Sequence, residues 1–419
     1  MLKINYNKFL SFLIIIFPIS LVTGPLIPEV ILAAVSILIN YQIIQSKKFY
    51  YYKFQFSYFF LIFWLYLITN SIFAENPLWS LKTSIFYFRY YIFLISIVYL
   101  IEEKFLSLKI TLYSLLLTFC FLIFDLFIQY YFGQNLLGFA NNENRYSGLF
   151  GEELILGSFL VKLFPLLTAL FFIKKNYSTK LFYLILVNPI MFVAIILTGE
   201  RTASILVLLF ILFTSFIIIE KYRYRIIYLF VIPALFLSII QFNPSIKNRF
   251  IDDTLNYVLE SKYKSYVESD NQQIKLNNDK IYIFSKLHHG HILSAYKLFL
   301  EKPIFGNGVN SFRNKCIKFE HEYSCSTHPH NMPIQILSEI GIVGFIFYTT
   351  IIIFFIRNSF NKNNSISIKI LSLGLVLYLF PLAPSGNFFN NWMNMIFYFL
   401  IGYYFAFMRY NSFINDKYN

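Results

Sequence analysis

Long apolar runs joined by short basic turns fill most of this chain, and one polar stretch, Gln241–Met332, interrupts them. Crossing about 30 Å of hydrocarbon at about 1.5 Å per residue needs a helix of about 20 residues. Runs near that length fall at Phe9–Val22, Pro28–Ile44, Gln55–Phe73, Thr83–Ile101, Lys109–Tyr131, Leu154–Ile173, Leu181–Leu197, Ala203–Ile219, Ile226–Ile240, Pro333–Ile356, Ser367–Phe380 and Trp392–Phe407. They predict an all-α polytopic membrane protein with about twelve transmembrane helices. The expected organisation is helices over 1–241, a large loop containing helices over 242–332, and the remaining helices over 333–419. Lys3 and Lys8 precede the first run as in a signal peptide, but no small-residue cleavage site follows, so a retained helix is expected.

Composition agrees. The chain is 58% hydrophobic and 13% charged, with mean hydropathy +0.60, which excludes an ordinary soluble domain. The net charge of +14 is distributed by topology. With a cytoplasmic N-terminus, the inner connections hold Lys47, Lys48, Lys53, Lys104, Lys109, Lys174, Lys175, Lys180, Lys221, Arg223, Arg225, Arg357, Lys362 and Lys369, against Lys82, Arg145 and Arg201 outside. This is the positive-inside asymmetry, and no nucleic-acid partner is needed to explain the charge. Both termini are therefore expected in the cytoplasm, and Gln241–Met332 outside it, in the periplasm of a bacterium.

That polar stretch holds all 6 histidines, His288, His289, His291, His321, His328 and His330, together with Cys316 and Cys325. In an oxidising compartment the two cysteines are expected to close a short loop just before His330. Three charges fall inside apolar runs, Arg89, Asp125 and Lys162. Each costs roughly 3 kcal/mol at a helix centre unless paired or hydrated. They form either an ion-pair cluster that fixes helix packing or the lining of a polar cavity open to the outside. Cations outnumber anions there, which suits an anionic headgroup such as a diphosphate.

Arg201 lies in Thr198-Gly-Glu-Arg-Thr-Ala-Ser204, an outer turn opening a helix. Thr202 or Ser204 is expected to cap that first turn, whose N–H groups favour anions. A guanidinium beside them offers a fork of donors to phosphate; the competing reading is an arginine that snorkels to lipid headgroups.

His330-Asn331, nine residues, then Gly341-Ile-Val-Gly344 carries the most specific signal. With Arg201, with Phe299-Leu-Glu-Lys-Pro-Ile-Phe-Gly-Asn-Gly-Val-Asn-Ser-Phe312, and with Arg145-Tyr-Ser-Gly-Leu-Phe-Gly-Glu-Glu-Leu-Ile-Leu-Gly157, the chain resembles the O-antigen ligase/polymerase superfamily of bacterial inner-membrane glycosyltransferases. The resemblance covers nearly the whole layout. One feature departs from it: where many members carry a second loop arginine, this chain has His288-His289-Gly290-His291, so that role falls to a histidine, to Arg313, or to a cavity charge.

The resemblance implies transfer of a glycan from undecaprenyl diphosphate to an acceptor at the periplasmic face of the inner membrane. The acceptor is the lipid A–core sugar in a ligase and another lipid-linked repeat unit in a polymerase. It implies His330 as general base or as acceptor-orienting group, and Arg201 as the catalytic cation offsetting charge on the leaving diphosphate. Asn331, Arg89, Lys162, Arg145, His288 and Arg313 are the expected substrate-binding residues. Gly341 and Gly344 are expected to allow close helix approach. No cofactor is implied.

Two other readings compete. His288 and His291, three apart on an expected amphipathic helix Ile281–Glu301, suit a metal, but no acidic or thiol ligand completes a set nearby, so no metal is expected. A transporter or flippase also places polar residues within helices, but repeated halves with broken helices are not evident.

Overall fold

Local sequence signals set where the helices begin. Asn76 accepts from the Trp79 N–H at 3.4 Å with Pro77 at the first helical position, Ser107 accepts from Ile110 at 3.4 Å, and Ser365 from Ile368 at 3.4 Å. Such caps satisfy N–H groups that a helix start leaves unpaired. In the computed structural model, which describes residues 2–142, 145–173, 180, 182–255, 286–319 and 323–418, the main helices are α1 Leu2–Ser20, α2 Leu26–Gln45, α3 Gln55–Ile72, α4 Pro77–Phe86, α5 Phe88–Glu102, α6 Leu108–Phe132, α7 Leu156–Phe171, α8 Asn188–Leu197, α9 Arg201–Ile218, α10 Tyr222–Phe242, α11 Lys286–Glu301, α12 Met332–Phe360, α13 Ile366–Tyr378 and α14 Asn391–Tyr418. Among the described residues the only β pairing is two isolated bridges, Gln134 with Ala140 and Asn142 with Arg145.

Each apolar run named from the sequence overlaps a helix, with Thr83–Ile101 divided at Tyr87 between α4 and α5 and Leu181–Leu197 described from Phe182. By length and composition, 8 helices among the described residues are able to cross a membrane, and Leu156–Phe171, Tyr183–Leu197 and Ile366–Tyr378 are shorter apolar helices. The protein is thus an all-helical, multi-pass membrane protein. The stretch Glu260–Lys280 and His321 lie outside the described residues, and the expected helix Ile281–Glu301 is described from Lys286.

The centre of the bundle is α5, α7, α13 and α14: α14 packs on α5 and α13, and α13 on α7, α9 and α12. From Phe93 to Ile101 every α5 residue is buried, whereas α10 fully buries only Ile232 and Ile240 and leaves Tyr222, Ile227, Phe230 and Leu237 exposed. Lipid is as apolar as leucine, so helix association in a bilayer relies on close packing and interhelical hydrogen bonds. Asn40 of α2 donates to the Ile92 carbonyl at 3.0 Å and Ser96 Oγ at 2.9 Å on α5. Tyr87 donates to Asn394 at 2.9 Å, and Ser367 to the Ala169 carbonyl at 2.8 Å. Such bonds are each worth about 0.6 kcal/mol on average in a membrane, so they fix register more than they supply stability.

Candidate functional site

Asn331 starts α12 as its N-cap, accepting from the Ile334 N–H at 3.2 Å while its amide donates to the Pro381 carbonyl at 3.0 Å. Both ends of this side chain are therefore committed within the fold. The residue before it, His330, sits at φ +56°, a left-handed conformation rare outside glycine. Its carbonyl accepts from the Ser385 N–H at 2.9 Å, and Ser385 Oγ accepts from the Met332 N–H at 2.9 Å. The connection between α13 and α14 thus clamps the backbone that presents the imidazole.

Nine residues on, α12 breaks at Gly341, φ +66° and ψ −168°. The break admits the stretch 303–308: Ile342 N–H donates to the Pro303 carbonyl at 2.9 Å, Val343 to Ile304 at 3.3 Å, Gly308 to Glu339 at 2.8 Å and Asn307 to Ser338 at 3.1 Å. The Glu339 carboxylate accepts from the Asn310 and Phe312 N–H groups, each at 3.2 Å, and from Gln335 at 3.1 Å. The two most distinctive sequence stretches, 299–312 and 330–344, are therefore one interlocked unit. The expectation for the glycines needs correction here. Gly341 makes room for loop backbone and not for a helix, and a β-carbon on Gly344 would meet its own helix's Ile340 side chain at 2.2 Å.

This interlock fixes α11 against α12 and brings four imidazoles together. The His330 ring lies 5.2 Å from that of His288, 5.3 Å from that of His291 and 4.1 Å from that of His328, centroid to centroid. Ser326 Oγ is 3.3 Å from His330 Nε2. Cys316 and Cys325 form a disulfide, Cα to Cα 4.9 Å, which closes the loop leading into this cluster as expected. Burial, then the neighbouring imidazoles, pushes His330 down to about 3. Burial first, with His291, His288 and Arg313 adding to it, pushes His328 down to about 4. The rings meet by face and edge, and among the described residues no group of three or more His, Cys, Asp or Glu is arranged to hold a metal ion. Arg313 reaches this cluster electrostatically through His328 while its guanidinium lies 5.7 Å from the Trp79 ring.

A second polar group forms where α7 and α9 begin. Arg201 donates through Nε to the Arg249 carbonyl at 2.8 Å and pairs with Asp253 at 3.4 Å. Neither Thr202 nor Ser204 caps α9: Glu200 stands at the N-cap without a side-chain cap bond, and Ser204 Oγ donates back to the Glu200 carbonyl at 3.0 Å. The Glu200 carboxylate instead caps α7, accepting from the N–H of Gly157 at 2.6 Å and from the N–H and Oγ of Ser158 at 3.1 and 2.6 Å. It also feels the charges of Arg145 and Lys162. Arg145 donates to the Leu154 carbonyl at 3.0 Å.

Lys162 of α7 packs toward α13 and α14. Its Nζ is 3.1 Å from Met393 Sδ, 5.6 Å from the centre of the Tyr378 ring and 5.5 Å from that of Trp392. Tyr378 and Trp392 bracket the α13–α14 connection that clamps His330. The α9 helix opened by Arg201 and the α12 helix that follows His330 both pack on α13.

The three intrahelical charges do not form the cluster weighed from sequence. Arg89 pairs with Glu29 at 3.0 Å and donates to Tyr90 at 2.8 Å. Asp125 accepts from the Leu136 N–H at 2.9 Å, while Gln129 and Asn135 bond the backbone of Phe139 and Gly148. Sequence reasoning gave no role to Asp253, which no pattern marks within the long polar stretch. It read His288 as a substrate-binding residue in place of a loop arginine and weighed His288 with His291 as a metal pair, although their helical spacing was the signal that both face His330.

Imidazoles thus gather at the start of α12, and the cations Arg145, Arg201 and Lys162 near the starts of α7 and α9. No curated protein matches the chain. The family model described as O-antigen ligase matches residues 186–349, a span that includes Arg201, the 299–312 stretch, His330 and Gly341, so this part of the chain is similar to that family.

Proposed function

We propose that this protein is an O-antigen ligase-type glycosyltransferase acting at the periplasmic face of the bacterial inner membrane. It moves a glycan from undecaprenyl diphosphate to a sugar hydroxyl of lipid A–core. The observation that carries the reading is the clamped presentation of His330: a left-handed residue, held through its carbonyl by Ser385 and set between a disulfide-closed loop and the start of α12. The disulfide supports an oxidising compartment for that loop, in keeping with the basic residues assigned to the opposite side.

In this mechanism the acceptor hydroxyl attacks the anomeric carbon, a new C–O bond forms with inversion, and the bond to the diphosphate breaks. The hydroxyl proton passes to His330, and the diphosphate leaves with its charge offset by Arg201 and Lys162. An imidazole held well below its ordinary pKa is a weak base on its own; an adjacent anionic diphosphate raises it toward the working range. His288 and Arg313 stand for the missing second loop arginine, and Arg145 and Arg89 contribute positive potential.

The test is the lipopolysaccharide profile of cells deleted for this chain and complemented with wild type or His330→Ala. A ligase leaves bare core and accumulates lipid-linked polymer, restored by wild type alone. Core capped with a single repeat identifies a polymerase using the same donor. An unchanged profile with loss of glycan translocation would identify a transporter and reject the proposal.

A further inference from the structure

We propose that His291 is a positioning residue for His330, holding the His330 ring in place by face-to-face packing and itself held by the disulfide-closed loop. The inference deepens the proposed function and rests on its reading of His330.

Three observations converge. First, the His291 and His330 rings are stacked, 28° apart in plane with centroids 5.3 Å apart, whereas His288 meets the same ring edge-on at 73°. Second, His291 is only 4% exposed, and its helix is tied to the disulfide-closed loop by Ser294, whose Oγ donates to the Ser324 carbonyl at 2.5 Å. Third, the Nδ1 atom of His291 is buried without a partner. With no partner for that nitrogen among the described residues, the ring contributes to this stack by packing, and a phenylalanine ring is able to do the same without leaving a buried polar atom unpaired.

His330 needs such support. Its backbone is in a conformation that side chains disfavour, and its one close side-chain hydrogen-bonding neighbour, Ser326 Oγ at 3.3 Å, is a weak orienting contact. Small displacements of a reacting group are costly to rate, so a base on a loop needs neighbours that lock it. The chain of support runs from the Cys316–Cys325 disulfide through the Ser324–Ser294 hydrogen bond to α11, to the His291 ring, and to the His330 ring. It also accounts for an imidazole where the family's loop arginine is absent: position 291 serves the base and not the diphosphate.

The test uses the full-length protein in detergent micelles. Diethyl pyrocarbonate acylates neutral imidazoles, and peptide mass spectrometry gives the rate at each histidine, with His289 as internal reference. His291→Ala is expected to raise the rate at His330 several-fold relative to His289, and His291→Phe, which keeps a ring in the stack, to leave it near wild type. Turnover is read with lipid-linked glycan extracted from cells deleted for this chain. His291→Ala should lower kcat by about 10- to 100-fold at unchanged donor KM, with His291→Phe recovering most of it. An unchanged His330 rate in His291→Ala overturns the proposal, as does His291→Phe behaving like His291→Ala while the protein elutes as wild type with its disulfide intact. Should labelling follow expectation while His330→Ala turns over normally, the fault lies in the reading of His330 as base; the ring contact would stand.

Discussion

Gly341 lies against the carbonyl of Ile304, so that a β-carbon at 341 would stand 2.2 Å from that oxygen. With φ at +66°, any side chain there meets both a backbone penalty of about 1–3 kcal/mol and a collision with main chain that has no rotamer to yield. Gly341→Ala is therefore expected to unlock 303–308 from α12, lower the melting temperature in detergent and abolish glycan transfer. Gly344→Ala meets the side chain of Ile340 and should be milder. Thermal unfolding of the two variants followed by intrinsic fluorescence checks this. Equal loss in both would show that the interlock at Gly341 is not the sensitive point.

The Arg201–Asp253 pair gives a second prediction. At 3.4 Å, with Asp253 42% exposed, the pair is a weakly stabilising one, worth up to about 1 kcal/mol. If the guanidinium serves the leaving diphosphate, removing its carboxylate partner frees it without harm. Asp253→Ala should keep turnover within about fivefold of wild type, while Arg201→Ala should lose about 100- to 1000-fold in kcat. Matching losses in steady-state assays of the two variants would make the ion pair itself the functional unit, and a structural one.

Most of the helical layout was legible because apolar runs bounded by basic turns have few other physical solutions in a bilayer. The disulfide was readable from compartment and spacing, and His330 from a motif. What the sequence concealed were partners chosen by tertiary contact. Glu200 looked like a neighbour of Arg201 and instead caps α7. Asp125 looked like a counter-ion and instead holds a turn through the Leu136 N–H. Gly341 looked like a helix-packing glycine, because a break that admits another backbone has the same one-letter signature as a close helix crossing.

The histidine cluster predicts a split between two pH profiles. Without substrate, burial and the neighbouring rings hold His330 down to about 3, so it stays neutral and competent through the mildly acidic range. The profile of kcat/KM reports the free enzyme, and that of kcat the substrate complex. A bound diphosphate favours the imidazolium, so its approach raises the pKa of His330. The acid limb of kcat should therefore lie at higher pH than that of kcat/KM, which should stay flat down to about pH 5 as far as His330 is concerned. Initial rates over a pH series decide it. Coincident limbs would mean that the anionic group does not bind beside this ring.

The same depressed values make local stability depend on pH. A histidine that ionises at about 6.5 when solvated but at about 3 or about 4 in place, as for His330 and His328, binds fewer protons in the closed loop than in an opened one. Opening is then favoured increasingly as pH falls below the solvated value and levels off only below the values in place. Among the described residues, the charged groups that bear on the cluster, from His288 and His291 on α11 to Arg313, are potential or actual cations, so none of them offsets the effect. Hydrogen–deuterium exchange of the micelle-bound protein, with rates corrected for intrinsic pH dependence, is expected to rise in 286–300 and 323–332 between pH 7.5 and 5. Exchange in α5 should be unmoved, since no histidine lies on it. Protection in 323–332 that is constant over this range would show that these rings are not as desolvated as their packing implies.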